Sequence, residues 1–123
     1  MPATAAAIEA VGATALARQL GLASRQTVYD RAARGELIGF DIAGKHRFPL
    51  AQFDERGSVL PGIAEVLKTL GAVGDAYAAW GWLTRPNTAL DGATPIGRLR
   101  GADPERVAEV TAAAAAELDG AYR

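Results

Sequence analysis

The polar side chains of one short predicted helix form the first group that could recognise another molecule. The sequence from Arg25 to Arg34 reads as a helix, and at about 3.6 residues per turn it has one polar face. That face carries Gln26, Thr27, Asp30, Arg31 and Arg34. Arg and Gln can form paired hydrogen bonds with guanine and adenine edges in the major groove of DNA. The pattern predicts DNA contact by Gln26, Thr27, Arg31 and Arg34, although a solvated helix face accounts for it equally well.

Three consecutive basic residues form the second candidate site. Lys45, His46 and Arg47 follow Gly44, with apolar, β-favouring residues on both sides, which predicts the tip of a hairpin. Positive charge at such a tip can bind backbone phosphates, so Lys45 and Arg47 are predicted DNA-binding residues. Solvated turn charge is the alternative. His46 is not expected to bind a metal, because the chain has no second histidine and no cysteine.

A segment rich in tryptophan, proline and glycine is the third candidate. It reads WGWLTRPNTALDGATPIGRL over residues 80–99 and contains both tryptophans of the chain. Pro and Gly at several turn positions predict a loop of defined shape after a helix. The residues alone leave open whether this segment binds a partner or is a helix end and loop anchored by Trp80 and Leu83.

Residue types argue against an enzyme. Without cysteine, and with a single histidine, the sequence lacks the usual thiol, zinc and triad arrangements. Its carboxylates are scattered, and no glycine-rich phosphate loop follows a predicted strand. We therefore expect no catalytic residues, no metal and no cofactor.

Charge and hydropathy restrict the setting further. The formal net charge is −1, and the segment up to Gly57 contains seven basic and six acidic residues. Nucleic-acid binding would therefore need the positive charge to be concentrated on one surface. No apolar run reaches the roughly 20 residues that cross a bilayer, and Glu9 near the start is unlike a signal peptide. We expect a cytoplasmic protein that does not contact membranes.

The elements that position the first two candidates occupy residues 1–57. A short helix is predicted over about Thr14–Leu20, ended by Gly21, and a second follows after Ser24 as its N-cap. The first dozen residues are expected to be a flexible lead or a loose helix. Helix, turn, helix and hairpin is the order of a winged helix-turn-helix module.

The remainder, residues 58–123, is predicted to be a small helical domain. The stripe of the first helix is formed by Ile63, Val66, Leu67 and Leu70. Asp75 is expected to cap a helix through Tyr77, Trp80 and Leu83, and a short helix begins at Pro95. The last helix begins after Asp103, with an apolar stripe of Val107, Val110, Ala114 and Leu118. The fold class is therefore mainly α with one small β-hairpin.

The third segment resembles the signature of the toxin-binding domain of Xre/MbcA/ParS-type antitoxins. The matching residues are Trp82, Leu83, Pro86, Asn87, Leu90, Gly92, Pro95 and Leu99. The resemblance, with Trp80 in the preceding helix, implies that they bind a RES-domain toxin, a NAD-consuming or ADP-ribosylating protein. It also implies a hetero-oligomer with that toxin and repression of the operon through promoter DNA.

The end of the chain offers a mechanism for such an antitoxin. Family members cap the toxin's active site in part with their C-terminal segment. Here Gly120 is expected to end the last helix, and Tyr122 and Arg123 carry an aromatic ring and a guanidinium that suit a NAD-shaped pocket. A frayed chain end is the alternative.

The first half departs from this family. Its relatives carry an all-helical Xre-type domain, whereas residues 15–53 look like an excisionase or MerR-like half-domain, so no DNA-contact residue can be carried over. A free-standing transcriptional regulator with a helical dimerisation domain is the alternative function, and an adaptor without DNA binding is a third.

Overall fold

The computed structural model describes residues 9–71 and 75–121, with side chains of the last helix described up to Glu117. In this part of the chain the fold is mainly helical with a small antiparallel sheet, as the sequence predicts. The chain divides into two compact units between Val59 and Leu60, close to the predicted boundary.

In the first unit, residues 9–59 form three short strands and two α-helices. They are β1 (Ala10–Val11), α1 (Ala13–Gln19), α2 (Arg25–Ala33), β2 (Phe40–Ile42) and β3 (Lys45–Pro49), followed by a 3₁₀ turn at Leu50–Gln52. Both helices begin and end within one residue of the predicted bounds. Ser24 precedes α2 as predicted, but its side chain forms no capping hydrogen bond.

Each of the two helices ends in the same glycine-dependent motif. Gly21 and Gly35 have φ of +67° and +75°, in the left-handed region that glycine adopts without strain. The N–H of Leu22 donates to the carbonyl of Ala17 at 2.8 Å, and the N–H of Glu36 donates to that of Arg31 at 2.9 Å. These are Schellman motifs, which satisfy the last carbonyls of a helix and turn the chain sharply.

The predicted hairpin is present, and a third strand joins it. β2 and β3 are connected by Ala43 and Gly44, both at positive φ, as a two-residue type I′ turn requires. β1 pairs with the other edge of β3, opposite Phe48 and Pro49. The expectation of a flexible lead or loose helix over the first dozen residues is therefore wrong at residues 10–11. A strand of two residues is too short to show an alternation of apolar and polar residues, and the strand it pairs with lies more than 30 residues further along the chain.

A buried glutamine connects α2 to the hairpin. Ile38, in the segment between them, is fully buried and belongs to no strand. The side-chain oxygen of Gln52 accepts from the N–H of Ile38 at 2.7 Å, and its amide nitrogen donates to the carbonyls of Ile38 at 2.7 Å and Pro49 at 3.0 Å. The side-chain amide of Gln52 and both backbone polar groups of Ile38 are thereby paired, as buried amides require.

In the second unit, the described residues 60–71 and 75–121 form four α-helices around an aliphatic and aromatic core. They are α3 (Ile63–Leu70), α4 (Ala76–Thr84), α5 (Pro95–Leu99) and α6 (Pro104–Ala121), with a 3₁₀ turn at Thr88–Leu90. Asp75 caps α4 by accepting from the N–H of Ala78 at 2.8 Å, and Pro104 opens α6, as predicted. Gly62 lets α3 approach its neighbours, because a Cβ atom there would lie 2.9 Å from Leu99.

The apolar stripe of α6 follows the prediction in part. Val110 and Ala114 are fully buried and Val107 is half-buried, whereas the side chain of Leu118 lies outside the described residues. Across residues 9–71 and 75–121, no helix is long and apolar enough to span a bilayer.

Replacing Gln52 tests its role at the junction. Gln52→Leu preserves the volume but leaves the N–H and carbonyl of Ile38 buried and unpaired, so we expect the free energy of unfolding to fall by about 2–4 kcal/mol. Urea unfolding, combined with hydrogen exchange of the Val28 and Phe48 amides, measures the loss. Gln26→Leu on the exposed face of α2 is the matched control, expected to stay within about 0.5 kcal/mol of wild type; equal effects of the two would refute the assignment.

Candidate functional site

A depression on the first unit gathers basic side chains, and we call it the hairpin groove. Its lining comes from one side of α1 with the residue before it, one flank of α2, and β3: Gly12, Ala13, Thr14, Ala15, Arg18, Arg25, Tyr29, Lys45, His46 and Arg47. Four of these residues are Lys or Arg, and none is acidic. Within the described ranges, none of the four cations forms an ion pair. The groove therefore concentrates positive charge in a chain whose net charge is −1.

Aromatic contacts set the position of the hairpin beside α2. The ring centroids of His46 and Phe48 lie 5.1 Å apart, and Tyr29 of α2 lies 5.7 Å and 6.1 Å from them. The Nδ1 atom of His46 is also within hydrogen-bonding distance of Asp41, at 3.1 Å. Gly39 leaves the space for this arrangement, since a Cβ atom there would lie 2.5 Å from the Phe48 ring. The hairpin cations consequently have a defined position relative to α2.

The six predicted DNA-binding residues do not all line this groove. Lys45 and Arg47 do, whereas Gln26 donates to the Asp30 carboxylate at 3.0 Å on the exposed face of α2. The guanidinium of Arg34 pairs with Glu36 at 2.6 Å. Thr27 is half-buried at the far edge of that face, near the flank that carries Arg31.

A second depression of the first unit contains Arg31, and we call it the Arg31 groove. Its lining comes from the end of α1, the flank of α2 and the turn before Val59: Gln19, Leu20, Arg31, Glu36, Leu37, Arg56, Gly57, Ser58 and Val59. Arg31, at one edge of the polar face of α2, therefore lies in a depression that the hairpin cations do not line, whereas Gln26, Asp30 and Arg34 are exposed.

Sequence reasoning missed three residues of the hairpin groove: Arg18, Arg25 and Tyr29. Arg25 and Tyr29 are four residues apart on α2, immediately beside the buried stripe through Val28. Their positions around the helix place them at the boundary between its buried side and its exposed side. Their role depends on where the hairpin packs, which no short-range sequence signal specifies.

In the second unit, most of the signature residues lie in the core. Trp80, Trp82, Leu83, Leu90, Pro95 and Leu99 are buried, whereas Pro86 and Gly92 are exposed and Asn87 is half-buried. The buried side chains therefore contribute little to the surface of the folded unit. The indole N–H of Trp82 is buried without a hydrogen-bond partner in the described part of the chain.

Asn87 organises the loop between α4 and α5. Its side-chain oxygen accepts from the N–H of Ala89 at 2.9 Å, and its carbonyl accepts from Leu90 at 3.0 Å and Gly92 at 2.9 Å. Its own N–H donates to the carbonyl of Ala93 at 3.0 Å. Asn87 therefore holds both ends of the loop together, which explains structurally why an asparagine occupies this position of the signature.

Arg98 of α5 joins this loop to α6. Its guanidinium donates to the Leu90 carbonyl at 2.9 Å and to the Glu109 carboxylate at 3.3 Å, and lies 4.0 Å from Asp91. Only 18% of its side chain is exposed, so solvent screens these contacts less than those of a surface arginine. The loop surface formed by Pro86, Thr88, Ala89, Asp91 and Gly92 is consequently held in one arrangement.

The remaining predicted contacts concern the chain end. Tyr122 and Arg123 lie outside the described residues. The helix α6 continues through Ala121, so the expectation that Gly120 ends it is wrong. No group of three or more His, Cys, Asp or Glu residues that could hold a metal occurs in residues 9–71 and 75–121.

The fold is similar to that of the protein Rv2175c, whose structure was determined by NMR. The TM-score is 0.77 at 21% sequence identity, and the match covers 90% of this chain and 82% of the other. The likeness therefore extends over both units. No model of a protein family and no curated protein matches the sequence.

Replacing Arg98 tests the loop assignment. Arg98→Met keeps the aliphatic stem but removes the hydrogen bond to the Leu90 carbonyl, and we expect the free energy of unfolding to fall by about 1–3 kcal/mol. Denaturation followed by tryptophan fluorescence reports on this unit, since both tryptophans lie in α4. Arg85→Met, at an exposed position, is the control. An Arg98→Met variant as stable as this control would contradict the role of the guanidinium.

Proposed function

We propose that this protein binds double-stranded DNA through its first unit and regulates transcription. In this proposal α1 and α2 form a helix-turn-helix and the β2–β3 hairpin is its wing. The hairpin groove is the observation that carries the proposal: four cations, no acidic lining residue, and a position between an exposed helix and a hairpin tip. Such a surface complements phosphates, which supply much of the affinity for DNA.

The exposed face of α2 supports a role in reading sequence. Gln26, Asp30 and Arg34 point away from the core, where Val28 is fully buried. A major groove about 12 Å wide admits an α-helix, and Gln and Arg suit adenine and guanine edges. With the wing cations on a phosphate backbone, α2 would lie in that groove, and Gln26 and Arg34 are the candidates for base contacts.

Removal of two groove cations tests the proposal. We expect the double variant Arg25→Ala, Lys45→Ala to bind a labelled duplex from upstream of the protein's own gene more weakly than wild type. A random-sequence duplex should lose affinity by a similar factor, because phosphates carry no sequence information. The slope of log affinity against log salt should decrease by about 0.9 for each lost contact.

The control keeps the change in charge and moves it elsewhere. Lys68 and Arg85 are exposed residues of the second unit, and the double variant Lys68→Ala, Arg85→Ala also removes two positive charges. Fluorescence anisotropy titrations should show wild-type binding for this variant. If both double variants weaken binding equally, net charge and not the hairpin groove is responsible.

A toxin-neutralising role is the second candidate, favoured by the loop surface that Asn87 and Arg98 hold in place. In this proposal the protein is the antitoxin of a type II toxin–antitoxin pair. The exposed residues of the loop, with Tyr122 and Arg123, dock on a RES-domain toxin, and the complex represses its own operon. The buried signature residues then act by shaping the loop, not by touching the toxin.

Co-expression separates this role from DNA regulation alone. We expect the full chain to restore growth of cells producing a RES-domain toxin encoded beside its gene, and Ala89→Arg to abolish the rescue by adding bulk to the docking loop. Ala64→Arg, at an exposed position of α3, is the matched control and should rescue normally. Rescue by neither wild type nor control would refute the antitoxin role and leave the DNA-binding proposal unaffected.

A further inference from the structure

We infer that the Arg31 groove is a second phosphate-binding site, which holds the DNA backbone on the flank of α2 opposite the hairpin groove. The inference rests on the proposed DNA-binding function and deepens it. It assigns Arg31 and Arg56 to backbone contacts, whereas the polar-face pattern of the sequence suggested that Arg31 reads a base.

Helix geometry places the two grooves on opposite sides of α2. Arg25 and Tyr29 line the hairpin groove, and Arg31 lines the other. Arg31 is two positions after Tyr29, which is a rotation of about 200° around the helix axis. Gln26 and Arg34 lie on the exposed arc between them. A cationic depression on each flank matches a major groove, which has a phosphate backbone on either side.

The positive charge of the Arg31 groove is available to a ligand. Glu36 is its only acidic lining residue, and that carboxylate already accepts a hydrogen bond from Arg34 at 2.6 Å. In the described part of the chain neither Arg31 nor Arg56 forms an ion pair. Two guanidinium groups therefore share a depression without a carboxylate committed to either of them.

Arg56 lies in a turn whose backbone is held from within. The Asp54 carboxylate accepts from the N–H of Arg56 at 2.9 Å and of Ser58 at 3.0 Å. Gly57 is buried, with φ of +84°, and packs against the end of α1, where a Cβ atom would lie 3.3 Å from Gln19. The backbone that carries Arg56 is thus fixed before any ligand binds, which lowers the entropic cost of a contact.

Guanidinium chemistry suits a phosphate, which is the anion that DNA presents on either side of its major groove. Arginine presents a planar fork of donors that matches phosphate oxygens and keeps its charge at any physiological pH. The Glu36 carboxylate beside the two arginines would repel an anion, so removing its charge should raise the affinity of the site for phosphate. Together the two grooves would clamp both strands and fix the orientation of α2 between them.

The test compares Arg56→Ala, Arg31→Ala and Glu36→Gln in the full chain by anisotropy. The probes are the labelled upstream duplex, single-base-pair variants of it, and a random-sequence duplex. We expect each Arg variant to weaken binding to all duplexes by the same factor, roughly 5- to 20-fold, and to lower the salt slope by about 0.9. Glu36→Gln should strengthen binding to all of them, and Lys68→Ala should change nothing.

Three outcomes would overturn the inference. If the variants keep the wild-type salt slope while the hairpin-groove double variant lowers it, the second site is wrong and the proposed function stands. A loss confined to one base pair would make Arg31 a base-reading residue. Absence of binding by wild-type protein would refute the proposed function as well. Thermal unfolding checks each variant, and Arg56→Ala and Glu36→Gln alter exposed residues, so they remain informative if Arg31→Ala is unstable.

Discussion

The geometry of the first unit depends on one buried amide. Between α2 and the hairpin the chain crosses the interior at Ile38 without a strand partner, and Gln52 supplies the donor and the acceptor that such a partner would provide. An amide side chain has its acceptor oxygen and its donor nitrogen on separate atoms, so it can pair with a backbone N–H and a backbone carbonyl at the same time. Since both cationic depressions flank α2, and one of them includes the hairpin, their mutual arrangement rests on this connection together with the contact of Tyr29 with His46.

The second unit also contains a segment whose backbone groups lack regular partners, and there two side chains, not one, pair with them. Its loop between α4 and α5 has little regular structure, and Asn87 and Arg98 satisfy the backbone groups that helices or strands would otherwise pair. The tryptophans and leucines of the signature form the hydrophobic core on which this loop packs. Most residues of this sequence signature therefore stabilise the loop from within. The exposed surface of the loop is formed by other residues, such as Ala89.

Local signals were sufficient to predict the helices and the hairpin turn. Gly21, Gly35 and Gly44 all occupy positions where positive φ is needed, and Asp75 caps its helix with its own side chain, so nearest-neighbour chemistry determines these ends. The strand β1 and the grouping of Arg18 and Arg25 with the hairpin depend on pairings between distant segments. No periodicity within a short window encodes such pairings, which is why the sequence does not predict that Arg18 and Arg25 line the same depression as Lys45 and Arg47.

The shortest strand has a consequence for solubility. β1 contributes only Ala10 and Val11, yet it covers the outer edge of β3 at Phe48 and Pro49, and the N–H of Leu50 donates to the carbonyl of Glu9 at 2.9 Å. An uncovered β3 would expose unpaired backbone groups beside a large aromatic ring, and a bare edge of this kind is a template for pairing with another chain. Pairing with these two residues therefore removes a template for self-association from this edge of β3.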